Sequence, residues 1–339
     1  MQFAHETFLI RHMRAGIVDG EQIVDAVAVD RKGNKIVGWG RHESAILTHS
    51  CIKPFQAIGL VESGAAAEFD LDEEDIALAA ASQGGEEFQR ERLRKWMTKI
   101  DVTEADLLCG THPPLSRRVR EALRQRDSKP DVLHHASAGR HLSMLTICRK
   151  MGYRLQQYPE REHPVQQYLW QVASNFLNHD ATGGGYAPGR CACPIPLLPL
   201  ENWAIGASRL CCGEGGARSS ASRVRDAMSR FPEMVTYPRH YMFRIHSGTG
   251  GKILYKTGLC STCIACHIPS GVGIAFKVRD GQEYLFLTSV LIPLLRRLDL
   301  LTSVEWEALQ DLAEPEIITS TGSVVGKTEA VFKSDHSAE

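Results

Sequence analysis

Ile23-Val24-Asp25-Ala26-Val27-Ala28-Val29, then Asp30-Arg31-Lys32-Gly33-Asn34, then Lys35-Ile36-Val37-Gly38-Trp39 reads as two strands joined by a hairpin turn. Alternating and β-branched apolar residues favour the extended chain on either side, and the Asp/Gly/Asn cluster supplies the turn. Phe8-Leu9-Ile10 reads as a further strand ahead of them, so the chain opens on an antiparallel sheet. From Pro54 to about Val235 the pattern becomes mainly helical. Residues 54–62, 73–81, 86–100, 141–151 and 165–177 carry apolar side chains at helical spacing, and Gly64 and Gly152 stop two of these helices.

Thr182 to Gly189 reads as a flexible loop and Ser208 to Ser222 as a second loose region rich in Gly and Ser. Neither marks a domain boundary. Strand signals return at 241–246, 251–256, 260–268 and 272–278, with Arg279-Asp280-Gly281 as a turn. A helix over 284–298, a last strand over 324–332 and a frayed tail from Lys333 follow. Strands at both ends of a helical middle predict an α/β (α+β) fold: one antiparallel sheet built from both termini, with a large helical insert. The expectation is a single domain over 1–339, with 1–53 and 237–332 as its sheet part and 54–236 as its mainly helical part.

With 339 residues the chain can bury a substantial core without a metal or disulfide. Its 39 basic and 40 acidic residues give a net charge of -1, which offers no electrostatic footprint for nucleic acid or an anionic membrane. A small-molecule substrate is the expected partner. Met1-Gln2-Phe3-Ala4-His5-Glu6 lacks a basic region followed by an apolar stretch, and no run of about 18 apolar residues occurs. The expected location is therefore cytoplasmic, with the ten cysteines as thiols.

Chemistry points to Thr48-His49-Ser50-Cys51-Ile52-Lys53-Pro54. Residues three apart at a helix start share a face, so the Lys53 amine can lie against the Ser50 oxygen and accept its proton once burial favours the neutral amine. Ile46 and Leu47 before the pair, and Phe55, Ile58, Leu60 and Val61 after it, supply apolar company. Cys51 lies about 100° around the helix from Ser50 and is expected to pack.

Seven ordered blocks extend this reading. They are Gly16-Ile17-Val18-Asp19, Ser50-Cys51-Ile52-Lys53-Pro54-Phe55-Gln56-Ala57, Ala77-Leu78-Ala79-Ala80-Ala81-Ser82, Cys109-Gly110-Thr111-His112-Pro113-Pro114-Leu115, His163-Pro164-Val165-Gln166, Pro232-Glu233-Met234-Val235 and Lys277-Val278-Arg279-Asp280-Gly281. Together they resemble the L-asparaginase II family of Rhizobium etli type. That resemblance implies an amidohydrolase related in fold to serine β-lactamases and glutaminases, in which a lysine-assisted serine attacks the side-chain amide of asparagine and releases ammonia. It implies Ser50 as nucleophile, Lys53 as base, and Ser82 and Lys256 as a supporting serine and lysine. It also suggests a homodimer.

The chain departs from the family pattern around that pair. His49 stands where the family has an arginine able to grip a carboxylate. Gln83 follows Ser82 in place of histidine, and Gln22 stands where another histidine is usual. The family's Asn-Cys-Ser-Gly-Lys-His block reads Ala136-Ser137-Ala138-Gly139-Arg140-His141 here. In the family that cysteine and lysine, with a later cysteine matching Cys191, can hold zinc. Serine binds zinc weakly and arginine has no lone pair to give, so no cofactor is expected. His49, Gln83 and Arg140 are then the candidate substrate-binding residues.

Cys263-Ile264-Ala265-Cys266-His267 fits a haem-attachment spacing, but in a strand Cys263 and Cys266 face opposite sides, so packing is expected. Cys191-Ala192-Cys193 and Cys211-Cys212 are expected as core or loop thiols. The expected function is hydrolysis of asparagine or a related small amide. The alternatives are a non-catalytic paralogue that binds an amino acid or protein, and a Ser-Lys amidase or acyltransferase acting on a larger amide.

Overall fold

The computed structural model describes residues 7–213, 218–238, 240–279 and 287–333. The chain forms two compact units. One comprises Met1–Cys51, Pro199–Ser208 and Arg244–Glu339, the other Ile52–Leu198 and Arg209–Phe243.

The first unit holds an eight-stranded antiparallel sheet, and both ends of the chain build it. Its order runs Glu316–Ile318, Val324–Lys333, Thr7–Arg14, Ile17–Val29, Val272–Val278, Thr262–His267, Ile253–Gly258, with Lys35–Trp39 also pairing with Ile17–Val29. The first strand pairs along its whole length with the last, from Thr7 opposite Lys333 to Arg14 opposite Gly326. Phe8 stacks on Phe332 across that seam, ring centroids 4.3 Å apart, a pairing that adds to the ladder's own hydrogen bonds. The hairpin turn closes as its sequence predicts: Asp30 Oδ1 accepts from the Lys32 and Asn34 backbone N–H groups at 2.8 Å each. Gly33 takes the left-handed conformation there, φ +85°.

The second unit is mainly helical. The helix Lys53–Glu62 is buried along almost its whole length and packs against Ala138–Met151, Pro164–Leu177 and Arg218–Arg230. Glu73–Ala79 starts on a capping box in which Asp72 accepts from the Glu74 and Asp75 N–H groups. It packs on Ala138–Met151 so closely that a Cβ on Gly139 would stand 2.3 Å from the Leu78 carbonyl oxygen.

Two expectations fail. Residues 241–246 are not a strand but part of the helix Tyr241–Gly248. The aromatic and β-branched composition favours strand, yet Met242 and Ile245, three apart, are both buried, as one helix face requires. Residues 208–222 are not a loose segment either, because Leu200–Cys212 and Arg218–Arg230 are helices. Ser208 fits its helix because its hydroxyl donates to the Gly271 carbonyl at 2.7 Å. The strand expected over 260–268 is Thr262–His267, with Cys260 and Ser261 in left-handed turn conformations. Asp280 and Gly281 of the expected turn, the start of the helix expected at Tyr284, and the tail beyond Lys333 lie outside the described residues. Among the described residues, no helix is long and apolar enough to cross a membrane.

Candidate active site

Ser50 sits in the 3-10 turn His49–Ile52, which runs directly into the helix that begins at Lys53. His49 holds a left-handed φ of +52°, a conformation that survives in a non-glycine residue only when its surroundings enforce it. In the first unit that enforcement comes from the hairpin Ile253–Gly258/Thr262–His267. Thr262 Oγ1 donates toward the Thr48 carbonyl at 3.3 Å, and Cys51 Sγ donates to the Lys256 carbonyl at 3.2 Å. Gly258 closes the clamp, since a Cβ there would lie 2.1 Å from the Thr48 oxygen. The serine-bearing turn is thus gripped on both sides of Ser50 by strand backbone.

Lys256 lies on the same hairpin, 1% exposed, with Nζ donating to the Thr257 carbonyl at 3.0 Å. Burial pulls its pKa down from 10.5 to about 8, against a smaller opposing pull from Cys51 and Cys263. Burial pushes the Cys51 thiol up to about 11, so at neutral pH it is a protonated packing group and not a nucleophile.

In the second unit Lys53 is also 1% exposed. Its Nζ reaches the Ala81 carbonyl at 2.7 Å, the Ala136 carbonyl at 3.1 Å and Ser82 Oγ at 3.3 Å. Toward these partners either form of the amine can serve: an ammonium donates to each, whereas a neutral amine donates to the two carbonyls and turns its lone pair to the Ser82 hydroxyl. Ser50 and Ser82 are half-buried, whereas both lysines are buried.

The two carbonyls lie just after the helix Glu73–Ala79 and just before the helix Ala138–Met151, and sequence reading misses what brings them together. The close approach of Gly139 to Leu78 sets the spacing of the helices that lead to Ala81 and from Ala136. His112 Nε2 accepts from the Ala136 N–H at 3.0 Å, and the other ring nitrogen lies 2.6 Å from the Pro113 carbonyl. His135 packs against His112, ring centroids 4.1 Å apart and the planes tilted by 56°, and accepts from the Ser137 N–H at 2.9 Å. Burial lowers the pKa of both rings, that of His135 to about 3, which keeps them neutral in these roles. The Thr111-His112-Pro113 block was the available signal.

Of the candidate substrate-binding residues, His49 belongs to the serine-bearing turn. Gln83 is 1% exposed and spends both amide hydrogens on the Leu133 and His135 carbonyls, at 2.8 and 2.9 Å. Among the described residues its Oε1 has no partner. Arg140 is 1% exposed, donates through Nη1 to Cys191 Sγ at 3.3 Å, and leaves Nε and Nη2 without partners among the described residues.

Zinc does not fit the set Ser137, Arg140 and Cys191. A permanently charged guanidinium, with no lone pair, points at the one thiolate ligand that remains. Cys191 and Cys193 do not simply pack, however. Among the described residues, their Sγ atoms and a ring nitrogen of His141 gather within 4.8 Å of one another. Cys263, Cys266 and His267 form no such group, and His267 pairs with Ser270 Oγ at 2.9 Å.

The family model described as L-asparaginase II matches residues 10–330 of this chain. No curated protein matches it in sequence. Among solved structures it is similar to a protein from Bacteroides dorei DSM 17855 provisionally described as a beta-lactamase, at 14% identity over 87% of this chain and 93% of that one, TM-score 0.40. It is also similar to EstCE1, a hydrolase with promiscuous acyltransferase activity, at 10% identity over 91% and 93% of the two chains, TM-score 0.33. A mutant of simvastatin synthase from Aspergillus terreus matches at 10% identity over 86% and 88%, TM-score 0.30.

Proposed function

Because this chain belongs to the L-asparaginase II family, we propose that it is an amidohydrolase which cleaves the side-chain amide of L-asparagine, or of a related small amide, to acid and ammonia. The observation that carries the reading is the setting of Lys53: a buried amine that donates to the Ala81 and Ala136 carbonyls and lies within hydrogen-bond reach of the Ser82 hydroxyl.

In the proposed reaction the neutral Lys53 amine takes the Ser50 hydroxyl proton as Oγ attacks the amide carbon. The proton is then delivered to the amide nitrogen, the C–N bond breaks, and ammonia leaves an acyl group on Ser50. Water, deprotonated in turn, releases the acid and restores the serine. Ser82, the third partner of Lys53, relays the proton. Lys256, with a pKa near 8, exchanges a proton at physiological pH and supports the same traffic. His49 in place of an arginine gives the serine-bearing turn a weaker grip on a carboxylate. Gln83 Oε1 and the Arg140 Nε and Nη2 groups are the acceptor and donors we assign to the substrate.

Ammonia release from asparagine, glutamine and small amides by wild type and Ser50→Ala tests the proposal. Loss of at least about a thousandfold in the variant on one substrate class supports it. Equal release by both proteins on every substrate overturns it, as does the lack of an acyl adduct on Ser50 by intact mass under rapid quench when a slow ester analogue is turned over.

A further inference from the structure

We propose, resting on the amide reading of the site, that Gln56 sets its specificity. The Gln56 side chain pairs with the carboxamide of the substrate, donating to the carbonyl oxygen and accepting from the N–H, so that the site holds an amide in preference to the acid it becomes. Gln56 is 1% exposed, and among the described residues neither its Nε2 nor its Oε1 has a hydrogen-bond partner. A primary amide taken out of water with its hydrogen bonds unmade is costly. The same unit shows how such a side chain is otherwise accommodated. Gln89 accepts from the Gly84 and Glu86 N–H groups at 3.0 and 3.2 Å and donates to the Glu233 and Thr236 carbonyls. Gln83 and Gln166 each leave Oε1 unpaired but anchor Nε2 on backbone carbonyls, Gln166 on that of Tyr158 at 2.8 Å. Gln56 is anchored at neither atom.

Its place in the helix Lys53–Glu62 ties it to the chemistry. Gln56 follows Lys53 by three residues, about 60° around the axis and about 4.5 Å along it, so the two side chains share a face. Helical side chains lean toward the N-terminus of their helix, here the end that carries Lys53. Another face is taken up by packing on Pro164–Leu177, where the Phe55 and Phe176 ring centroids are 6.3 Å apart and a Cβ on Gly59 would stand 2.6 Å from Leu169. Other unpaired polar atoms sit on segments that supply the partners of the same amine: Gln83 comes directly after Ser82, and Arg140 four residues after Ala136. Three segments that meet at Lys53 thus each carry a buried side chain with unused hydrogen-bonding capacity.

Chemistry separates their roles. The unpaired Arg140 atoms are donors and the unpaired Gln83 atom is an acceptor, whereas Gln56 offers a donor beside an acceptor. That is the complement of a carboxamide, which presents a carbonyl oxygen beside an N–H. The carboxylate of the acid product presents oxygens alone, so once ammonia has left, Gln56 Oε1 faces another acceptor. A site that pairs with an N–H rejects the analogue that lacks it, because its own polar group is then left unpaired. Gln56 therefore favours substrate over product.

Calorimetry on full-length Ser50→Ala protein measures the affinities of two amide and acid pairs, L-asparagine with L-aspartate and L-glutamine with L-glutamate, with Gln56 intact and with Gln56→Met or Gln56→Leu added. With Gln56 intact, at least one amide is expected to bind more tightly than its acid. Either substitution should cut that preference on the order of tenfold, chiefly by weakening the amide. Without ligand, Tm should stay level or rise in at least one of the two variants, because an unpaired amide has left the interior. A preference that survives both substitutions, or that is missing to begin with, overturns the inference. So does a fall in Tm, or a failure to fold, in both variants, since Gln56 is then a structural group. If wild type releases no ammonia from either amide while the preference and its loss are as expected, the hydrolase reading fails and Gln56 stands as the amide-recognising residue of a binding protein.

Discussion

Replacing Lys256 with methionine should make the protein more stable at neutral pH while impairing it as an enzyme. Lys256 is 1% exposed among Cys51 and Cys263, neither of which supplies a negative charge at pH 7, since burial pushes both thiols up. Its pKa falls from 10.5 to about 8, which at ~1.4 kcal/mol per pH unit amounts to about 3 kcal/mol. The sign follows from proton counts. Between pH 8 and 10.5 the unfolded chain holds a proton at this position that the folded chain has shed, so stability rises with pH across that window. Below about 8 both states are protonated and the penalty is fully present; above 10.5 it is gone. Methionine fills a similar volume without charge and forfeits the amine's hydrogen bonds, that to the Thr257 carbonyl among them, at about 1 kcal/mol each. The net expectation for Lys256→Met is a gain of at most about 2 kcal/mol at pH 7 and a loss of at least about 1 kcal/mol above pH 10.5. Urea midpoints for both proteins at pH 7 and near pH 10.5 measure this directly. If Lys256→Met is destabilised by the same amount at both pH values, the amine is a satisfied structural group and the reasoning is wrong.

Gly258→Ala should lower stability by about 1–3 kcal/mol in thermal unfolding, because the new Cβ lands 2.1 Å from the Thr48 oxygen and both atoms belong to backbone-tethered groups. It should also reduce ammonia release by displacing the turn that carries Ser50. Ser82→Ala deletes a hydroxyl partner of Lys53 while the Ala81 and Ala136 carbonyls remain, so kcat should fall about a hundredfold with little change in Tm. In a double-mutant cycle of Arg140→Met and Cys191→Ala, stability losses should be non-additive by about 1–3 kcal/mol, the double variant being less damaged than the sum of the singles; additive losses would mean that the two side chains are not an ion pair.

How much could be read from the sequence depended on whether a pattern was local. The Asp30–Asn34 turn and the apolar strands beside it are set by neighbours in the chain, and they were legible. That both ends of the chain would share one sheet followed from the strand signals there; that Thr7–Arg14 pairs directly with Val324–Lys333 is shown by the structure. Tyr241–Gly248 was misread because bulky and β-branched residues suit a strand, while the spacing of Met242 and Ile245 that settles the matter is short and easily outvoted. Ser208 and its glycine-rich surroundings suggested a loop because a hydroxyl's partner, the Gly271 carbonyl, is far along the chain. The Ser50/Lys53 spacing was visible, but the carbonyls of Ala81 and Ala136 that surround Lys53 were not, since backbone acceptors leave no mark on residue identity. For the same reason His112 passed as part of a motif without a role, although it orients Ala136.

The departures from the family pattern are tied together by charge. A guanidinium buried at position 140 is costly unless an anion meets it, and the acceptor it reaches is Cys191 Sγ. Around that sulfur, Cys193 Sγ and a ring nitrogen of His141 gather within 4.8 Å. Arginine at 140, where the family pattern has lysine, is therefore not simply a loss at a metal site, because it brings a fixed cation to the sulfur that would have been a ligand. What such an exchange removes is the option of binding zinc, because the cation is now covalently part of the chain. Among the described residues it leaves Arg140 Nε and Nη2 still without partners, and a buried guanidinium with two unused donors is a standing demand for a second acceptor. In the proposed reaction a substrate carboxylate or amide oxygen meets that demand, so the residue that rules out the metal is also the one we assign to substrate recognition.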